Sequence, residues 1–593
     1  MSTWGHGREI SRRELLKMSG MGLGALALGR YLGGSKAFAS EGSQALQLAR
    51  VMPRTATQAF ALSTFDDTHR RFADGSIELL LWPGDQQRLS QMGIWHQITV
   101  TDLVARDARA LATAPQMMLA GPPGADTRTD YRRLADYESE LAALPTQFPG
   151  LARRITLGER SLEGRDVYGI EIGPNIDASD GRPIFYIDGI HHAREWPTAE
   201  YVMSFAHHLL RSYGTDPTIT TILDRARVTV VPIMNVDGFH FARESTLNNA
   251  NLGAVAGGQG QYWRKNRRGH LDEETGGNPT SYGTDPNRNY PFFWGATNRG
   301  LSGIPQGVTP VNQADPILDM VPVLAATSPN LYDQTYYGSA PLSEPESRNV
   351  ANYIRGNNVV AVVTNHNNAA LVLRPWGHTT EPAYDEDILS TLGAELADIL
   401  FSDESKSQIG LGLYPTTGTT DDWAYGATSA LGYTIEHGGS GFHPSYNGTD
   451  GPGREANWTK AMNAFIRAAE VLTETANHAV ITGRATDASG APVQATLNIH
   501  KEFDTPMWPE GADGVGPLLH QGADVTHEVL DFSTTTAADG VIEWHVNPST
   551  RPLEAKAGRT ETYKLKVTAN GSTKESDILL RRGDVLNLGD LPF

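Results

Sequence analysis

Cysteine is absent from all 593 residues. That excludes disulfide cross-links and thiolate ligands, so any transition metal must be held by His, Asp or Glu. No internal run approaches the roughly 20 apolar residues that a membrane helix needs, so stable membrane insertion is not expected. Basic residues are in the minority: 49 Lys and Arg stand against 68 Asp and Glu, a formal net charge of −19. A surface of that sign argues against nucleic acid as a partner and favours solubility. Internal repeats and long low-complexity tracts are missing too. What remains has ordinary globular composition. The length exceeds one core and predicts two to four domains.

The first 39 residues stand apart. Arg12-Arg13 precedes a short glycine-rich apolar segment, and Ala37-Phe38-Ala39 offers a small-x-small cleavage site before Ser40. The pattern resembles a bacterial twin-arginine export signal. Export to the periplasm or beyond is therefore expected, with residues 1–39 removed. That segment carries six basic and two acidic side chains, so the remainder is more acidic still.

Three composition regimes follow. In residues 40–124, Ile77–Trp82 predicts a strand, while Gln86–Gly93 and Thr101–Thr113 predict helices. A turn-rich linker, GPPGADTRTD from Gly121, ends this small α+β region. Its place suggests a pro-domain or cover. Residues 127–475 alternate helices (Tyr131–Leu144, Pro197–Tyr213, Glu344–Arg355, Asp387–Phe401) with strands (Arg182–Ile190, Arg227–Met234, Val359–Thr364, Leu431–Ile435). That alternation predicts an α/β fold, a central sheet with helices on both faces, with ligands beyond the carboxyl ends of its strands. Residues 478–593 alternate apolar and polar positions between turn pairs, which predicts a β-sandwich.

The chemistry starts at GIHHAREWPTAEYV, where His192 and Glu195 follow the apolar run Ile184–Ile187. An H-x-x-E pair alone is weak evidence for a metal. A hydrolytic zinc wants three protein ligands and one open position. His366, after the run Val359–Thr364, completes a His-Glu-His set. A water acidified by such a metal needs a base, and Glu436 follows Leu431–Ile435 into the same expected crevice. Arginines bind carboxylates and developing oxyanions. DPNRNY supplies Asn287 and Arg288, and YWRKNRRG supplies Arg264, although on composition that basic run could equally be a solvated loop.

Together these motifs make the chain resemble the zinc metallocarboxypeptidase family, the pancreatic carboxypeptidase A/B group and its bacterial relatives, over residues 127–475. IHHAREW is similar to the family's zinc-binding H-x-x-E-W. PIMNVDGFH is similar to its P-x-x-N-P-D-G segment, with Val236 where proline is usual. YWRKNR, DPNRNY, GSAPLSEPESR, Tyr414, Asp422-Trp423 and Glu436 then follow in family order.

The resemblance implies one zinc ion on His192, Glu195 and His366, with Glu436 as general base and acid and Arg264 stabilising the oxyanion. It implies that Asn287, Arg288 and Tyr414 grip a substrate's C-terminal carboxylate, which Arg194 helps to guide in. The partner is then a peptide or protein with a free C-terminus. It implies that Asp421, two residues before Trp423, sets a preference for C-terminal Lys or Arg. On the residues alone Asp421 could equally cap a turn. The C-terminal region is similar to the transthyretin-like modules that accompany some carboxypeptidases.

Departures from the pattern fall beside the site. Asn367-Asn368 follows His366, His437-Gly438-Gly439 follows Glu436, and the stretch from Gly295 to Asn330 is long. They leave two other readings open. One is a zinc peptidase of the same family acting on cell-wall stem peptides. The other is a binding protein with an idle site, which the intact ligand and base set disfavours.

Overall fold

The computed structural model describes residues 45–55, 58, 61–62, 65–113, 128, 130–244, 260–269, 283–295, 327–328, 331, 333–439, 441–506 and 525–593. The export segment, most of the 121–130 linker and most of the 295–330 stretch lie outside those residues.

Among the described residues, the first unit is an antiparallel sheet flanked by helices. Its elements are β1 (Gln47–Met52), β2 (Asp66–Arg71), β3 (Ile77–Leu81), α1 (Asp85–Gln91), β4 (Trp95–Val100) and α2 (Leu103–Thr113), with strand order β2-β3-β1-β4. Strand β3 is buried along its whole length and apolar except at Glu78, because both of its faces are covered. Leu79 and Leu81 join Ala49 and Val51 in the unit's own core. Leu80 joins Leu46, Leu48 and Leu103 against Tyr262 and Phe442 of the next unit.

The central unit opens with α3 (Leu134–Gln147), β5 (Ala152–Thr156), β6 (Tyr168–Ile172), β7 (Ile184–Asp188), α4 (Trp196–Ser212), α5 (Pro217–Arg225), β8 (Arg227–Val231) and α6 (Val236–Glu244). It continues through α7 (Pro345–Arg355), β9 (Val359–Arg374), α8 (Glu386–Phe401), β10 (Ser407–Ile409), α9 (Thr420–Thr428), β11 (Leu431–Gly438) and α10 (Glu455–Leu472). The sheet order is β10-β9-β7-β8-β6-β5, with β11 against β9. Strands β7, β8 and β9 are parallel, and β5 and β6 are antiparallel to their neighbours. Helices α4, α8 and α10 pack as one layer, and α7 packs with α9 in another. This is the expected mixed α/β sheet.

Strands β7 and β8 are shorter than expected, at Ile184–Asp188 and Arg227–Val231, while two strands run past their expected ends, and those two extensions place the site. β9 continues past Thr364 to Arg374. Its first half runs along β11 with His366 opposite Glu436, and its second half returns so that Leu371 is also opposite Glu436. β11 continues to Gly438, so Glu436 lies inside the strand rather than beyond it.

The last unit has β12 (Ala479–Thr486), β13 (Thr496–Pro506), β14 (Val525–Thr535), β15 (Val541–Val546), α11 (Pro552–Lys556), β16 (Tyr563–Ala569), β17 (Ser572–Ile578) and β18 (Val585–Pro592). Its two sheets, β15-β12-β18 and β14-β13-β16-β17, face each other through the edge-on rings of Trp544 and Phe532. It sits directly on the central unit. The His545 N–H donates to the Gly181 carbonyl at 2.9 Å. A Cβ at Gly181, where φ is +71°, would lie 2.3 Å from the Glu543 carbonyl oxygen, so only glycine allows this approach. Among the described residues, no helix is long and apolar enough to cross a membrane.

Candidate metal centre and substrate cleft

His192 and Glu195 sit in the turn between β7 and α4. Pro197 opens the helix, where its missing N–H costs nothing, so the ligand turn closes directly onto α4. His366 comes from β9, two strands along in sequence and adjacent in the sheet. One ligand atom from each of His192, Glu195 and His366 lies within 4.8 Å of the other two.

The protonation pattern tests whether a metal fits. His192 Nε2 lies 3.1 Å from the buried Asp285 carboxylate, so that nitrogen carries the proton. In the neutral imidazole Nδ1 is then the lone-pair nitrogen. Yet Nδ1 lies 2.7 Å from Glu195 Oε1 and 3.1 Å from His366 Nδ1. His366 Nδ1 in turn lies 3.1 Å from Glu195 Oε2. One nitrogen of each imidazole and the Glu195 carboxylate thus converge on a single point, where one cation can replace the protons they share. With two imidazoles, one carboxylate and no thiolate, the set suits zinc.

Glu436 is 4 % exposed, and its Oε2 accepts from the Ala369 N–H at 3.4 Å. Burial, and then the Glu195 charge, push its pKa up to about 8. It is a carboxylate held close to proton-transfer range. Arg264 donates to Asp285 Oδ2 through Nη2 at 2.9 Å and Nε at 3.2 Å. Burial pushes the Asp285 pKa up, but Arg264, His192 and Arg288 outweigh it and hold the carboxyl well below its usual range.

Asn287 and Arg288 form a short 3-10 turn that Asp285 caps, accepting from the Asn287 N–H at 2.9 Å. Arg288 Nη2 donates to the Tyr414 hydroxyl at 3.4 Å. Burial raises the Tyr414 pKa to about 12, so the phenol keeps its proton at neutral pH. Gly418 packs against this turn. A Cβ there would lie 2.4 Å from the Arg288 carbonyl oxygen, and its φ is +67°. Asn287 also reaches the metal ligands and α9: its Nδ2 lies 3.3 Å from His366 Nε2, and its Oδ1 accepts from the Thr420 N–H at 3.0 Å.

Asp421 is buried in the first turn of α9. Burial, and then the neighbouring Asp422, push its pKa up. Asp422 itself is spent on the Gly377 N–H, at 2.9 and 3.2 Å.

Arg194 pairs with the first unit in this structure. It is fully buried and donates Nη1 and Nη2 to Asp66 of the first unit, at 2.6 and 2.7 Å. His69, from the same β2 strand, lies on Tyr414 with ring centroids 5.0 Å apart. Sequence reasoning also passed over Asp285. It was visible in DPNRNY but reads there as a turn-capping residue, and only the fold joins it to His192 and Arg264.

The fold and the site define an α/β protein with a His-Glu-His metal centre, a buried carboxylate across from it and a floor of arginines. The chain belongs to the zinc carboxypeptidase family, whose model matches residues 137–456. Human carboxypeptidase B is 26% identical over 312 residues, covering 52% of this chain and 62% of that protein, less than two thirds of its length. Mouse carboxypeptidase A4 is 26% identical over 367 residues, 60% of this chain and 74% of that protein. Among solved structures, a carboxypeptidase A from Helicoverpa armigera superposes with a TM-score of 0.55. Its identity is 19%, over 73% of this chain and 99% of that one, which supports the fold.

Proposed function

We propose that the protein is an exported metallocarboxypeptidase that removes single C-terminal residues from peptides or proteins. The observation that carries this reading is the convergence of one ligand atom each from His192, Glu195 and His366, with Glu436 and Arg264 beside them. A bound zinc ion supplies Lewis acidity to the scissile carbonyl and to the attacking water. The Glu436 carboxylate takes the proton from that water and returns it to the leaving amine. The Arg264 guanidinium, held by Asp285, balances charge developing on the carbonyl oxygen. Arg288, Asn287 and the protonated Tyr414 bind the substrate's terminal carboxylate. That clamp favours an exopeptidase over an enzyme for another amide bond. Asp421 sets a preference for C-terminal Lys or Arg, since a buried carboxylate discriminates by charge.

Residues 40–124 serve as a cover in this reading. Asp66 occupies Arg194, and His69 lies over Tyr414. The residues 1–39 direct export by the twin-arginine route, and replacing Arg12 and Arg13 with lysine should keep the protein in the cytoplasm.

The test is a digest of peptides differing only in their last residue, with the full chain before and after limited proteolysis. Stepwise loss of one C-terminal residue, abolished by a chelator and restored by zinc, supports the reading. Cleavage that survives chelation, or cuts only internal bonds, contradicts it.

A further inference from the structure

The C-terminal sandwich holds α9 of the central unit at two points and touches α7 beside it. Glu528 on β14 is 1 % exposed. Its carboxylate accepts from the Trp423 indole Nε1–H, at 2.9 Å to Oε2 and 3.2 Å to Oε1. It also accepts from the Thr505 hydroxyl, and from Arg355 Nη1 at 3.3 Å. A second anchor lies further along the helix. Arg582 donates to Asp385 through Nε at 2.8 Å and Nη2 at 3.0 Å, and Asp385 Oδ2 accepts from the Tyr425 hydroxyl at 2.8 Å. Arg582 Nη2 also donates to the Ser429 carbonyl at the helix end, at 3.1 Å.

Trp423 packs α9 against the Asn287–Tyr290 segment. It stands two residues after Asp421 on α9, is fully buried, and stacks on Tyr290 with centroids 5.4 Å apart at 28°. Tyr290 belongs to the segment that carries Asn287 and Arg288, and its N–H donates to the Gly418 carbonyl at 3.1 Å. Ring stacking alone leaves sliding within the plane cheap. The hydrogen bond to Glu528 is directional, and a buried indole N–H without a partner is costly. A carboxylate from another domain thus fixes the ring that packs α9 against the segment carrying Asn287 and Arg288.

We propose that Glu528 is a positioning residue for substrate side-chain selection: by holding Trp423 it fixes the first turn of α9, and Asp421 with it, relative to Asn287–Tyr290. The C-terminal sandwich then takes part in specificity as well as in folding. The inference rests on Asp421 being the residue that selects the substrate's last side chain.

The test compares the full chain with Glu528→Ala, Glu528→Gln and Trp423→Phe. Two readouts are used: hydrogen–deuterium exchange of the 416–428 backbone, and kcat and KM on peptides ending in Arg and in Leu after limited proteolysis of the first unit. Glu528→Ala should speed exchange at 420–425 and raise KM for the Arg peptide about tenfold, the scale of one buried hydrogen bond. Its kcat should stay within about twofold, and the Leu peptide should change less. Glu528→Gln keeps an oxygen for the indole and should restore both readouts. Trp423→Phe should reproduce Glu528→Ala, and combining the two should add nothing further. A Glu528→Ala protein that only melts earlier, with unchanged exchange at 420–425 and an unchanged Arg-to-Leu ratio, would reduce the contact to interdomain adhesion and overturn the inference. If the wild type cleaves neither peptide even after limited proteolysis of the first unit, the functional reading fails, and the exchange data still decide whether Glu528 holds α9.

Discussion

Arg194 and Asp66, 128 residues apart, form a two-bond ion pair with both side chains out of solvent. It joins the edge strand of the first unit to the turn that carries His192 and Glu195. Trp82 Nε1 donates to the same Asp66 carboxylate at 3.0 Å, and the Arg194 guanidinium lies 4.0 Å over the Phe442 ring. Removing one partner of a buried pair leaves the other charge uncompensated, at a cost of about 3–5 kcal/mol. Asp66→Ala should therefore loosen the first unit and raise the full chain's cleavage of a small peptide. The comparison is with wild type before any proteolysis. An unchanged rate would mean that this unit does not limit access.

Glu436→Gln should lower kcat by about two to four orders of magnitude, the usual range for a general base. Metal content should be unchanged, since Glu436 is not one of the three ligands. The base works only when ionised. Burial raises its pKa, so activity should fall as pH drops through that value. A bound cation moves the limb to lower pH without changing its sign. Metal analysis and a pH–rate profile check both points. Wild-type-like turnover in the glutamine variant would remove Glu436 from the mechanism.

Asp421→Asn should do two opposite things. It should cut the preference for C-terminal Arg over Leu. It should also stabilise the protein at neutral and higher pH. The folded-state pKa of Asp421 is raised, so the folded state binds more protons than the unfolded state above pH 3.8. Ionised Asp421 therefore costs stability as pH rises. The gain in melting temperature over wild type should be near zero around pH 4 and grow with pH. A gain independent of pH would mean that Asp421 is not held in this costly environment.

Much of this site is legible in the chain because its parts follow apolar runs. His192, Glu195, His366 and Glu436 each come next to a strand that hydrophobicity marks. The same rule misplaced two strand ends. The apolar runs stop at Thr364 and Ile435, but backbone pairing continues through polar residues that the fold satisfies. Asn365 Nδ2 donates to the Asp188 carbonyl at 2.9 Å, and its Oδ1 lies 3.0 Å from His437 Nε2. Polarity at a site reads as a loop when it is really strand with paired side chains. The contacts Asp66–Arg194, Asp285–His192 and Glu528–Trp423 were invisible for another reason. Each joins residues about a hundred positions apart, and no local pattern announces such a pair.

Glu561 offers a test of the sandwich itself. Against the pull of burial, Arg551 and Lys501 hold its pKa down at about 2. Its contribution should be fully present above pH 4.5 and lost as pH falls toward 2. Glu561→Gln should cost about 1–3 kcal/mol near neutrality, since one pKa unit corresponds to about 1.4 kcal/mol. Denaturant melts at pH 7 and pH 2.5 measure the difference. An equal loss at both values would assign the effect to packing rather than charge.

The central claim is that the clamp of Arg288, Asn287 and Tyr414 presents a free C-terminal carboxylate to the metal centre. The most direct measurement is kcat/KM for one peptide ending in arginine, as the free acid and as the amide, with zinc-loaded protein after proteolytic removal of the first unit. The account predicts rapid release of arginine from the acid and a loss of at least about a hundredfold for the amide, the scale of one desolvated charge pair. Equal cleavage of both would show that the clamp does not read the carboxylate, and the carboxypeptidase assignment would fall with it.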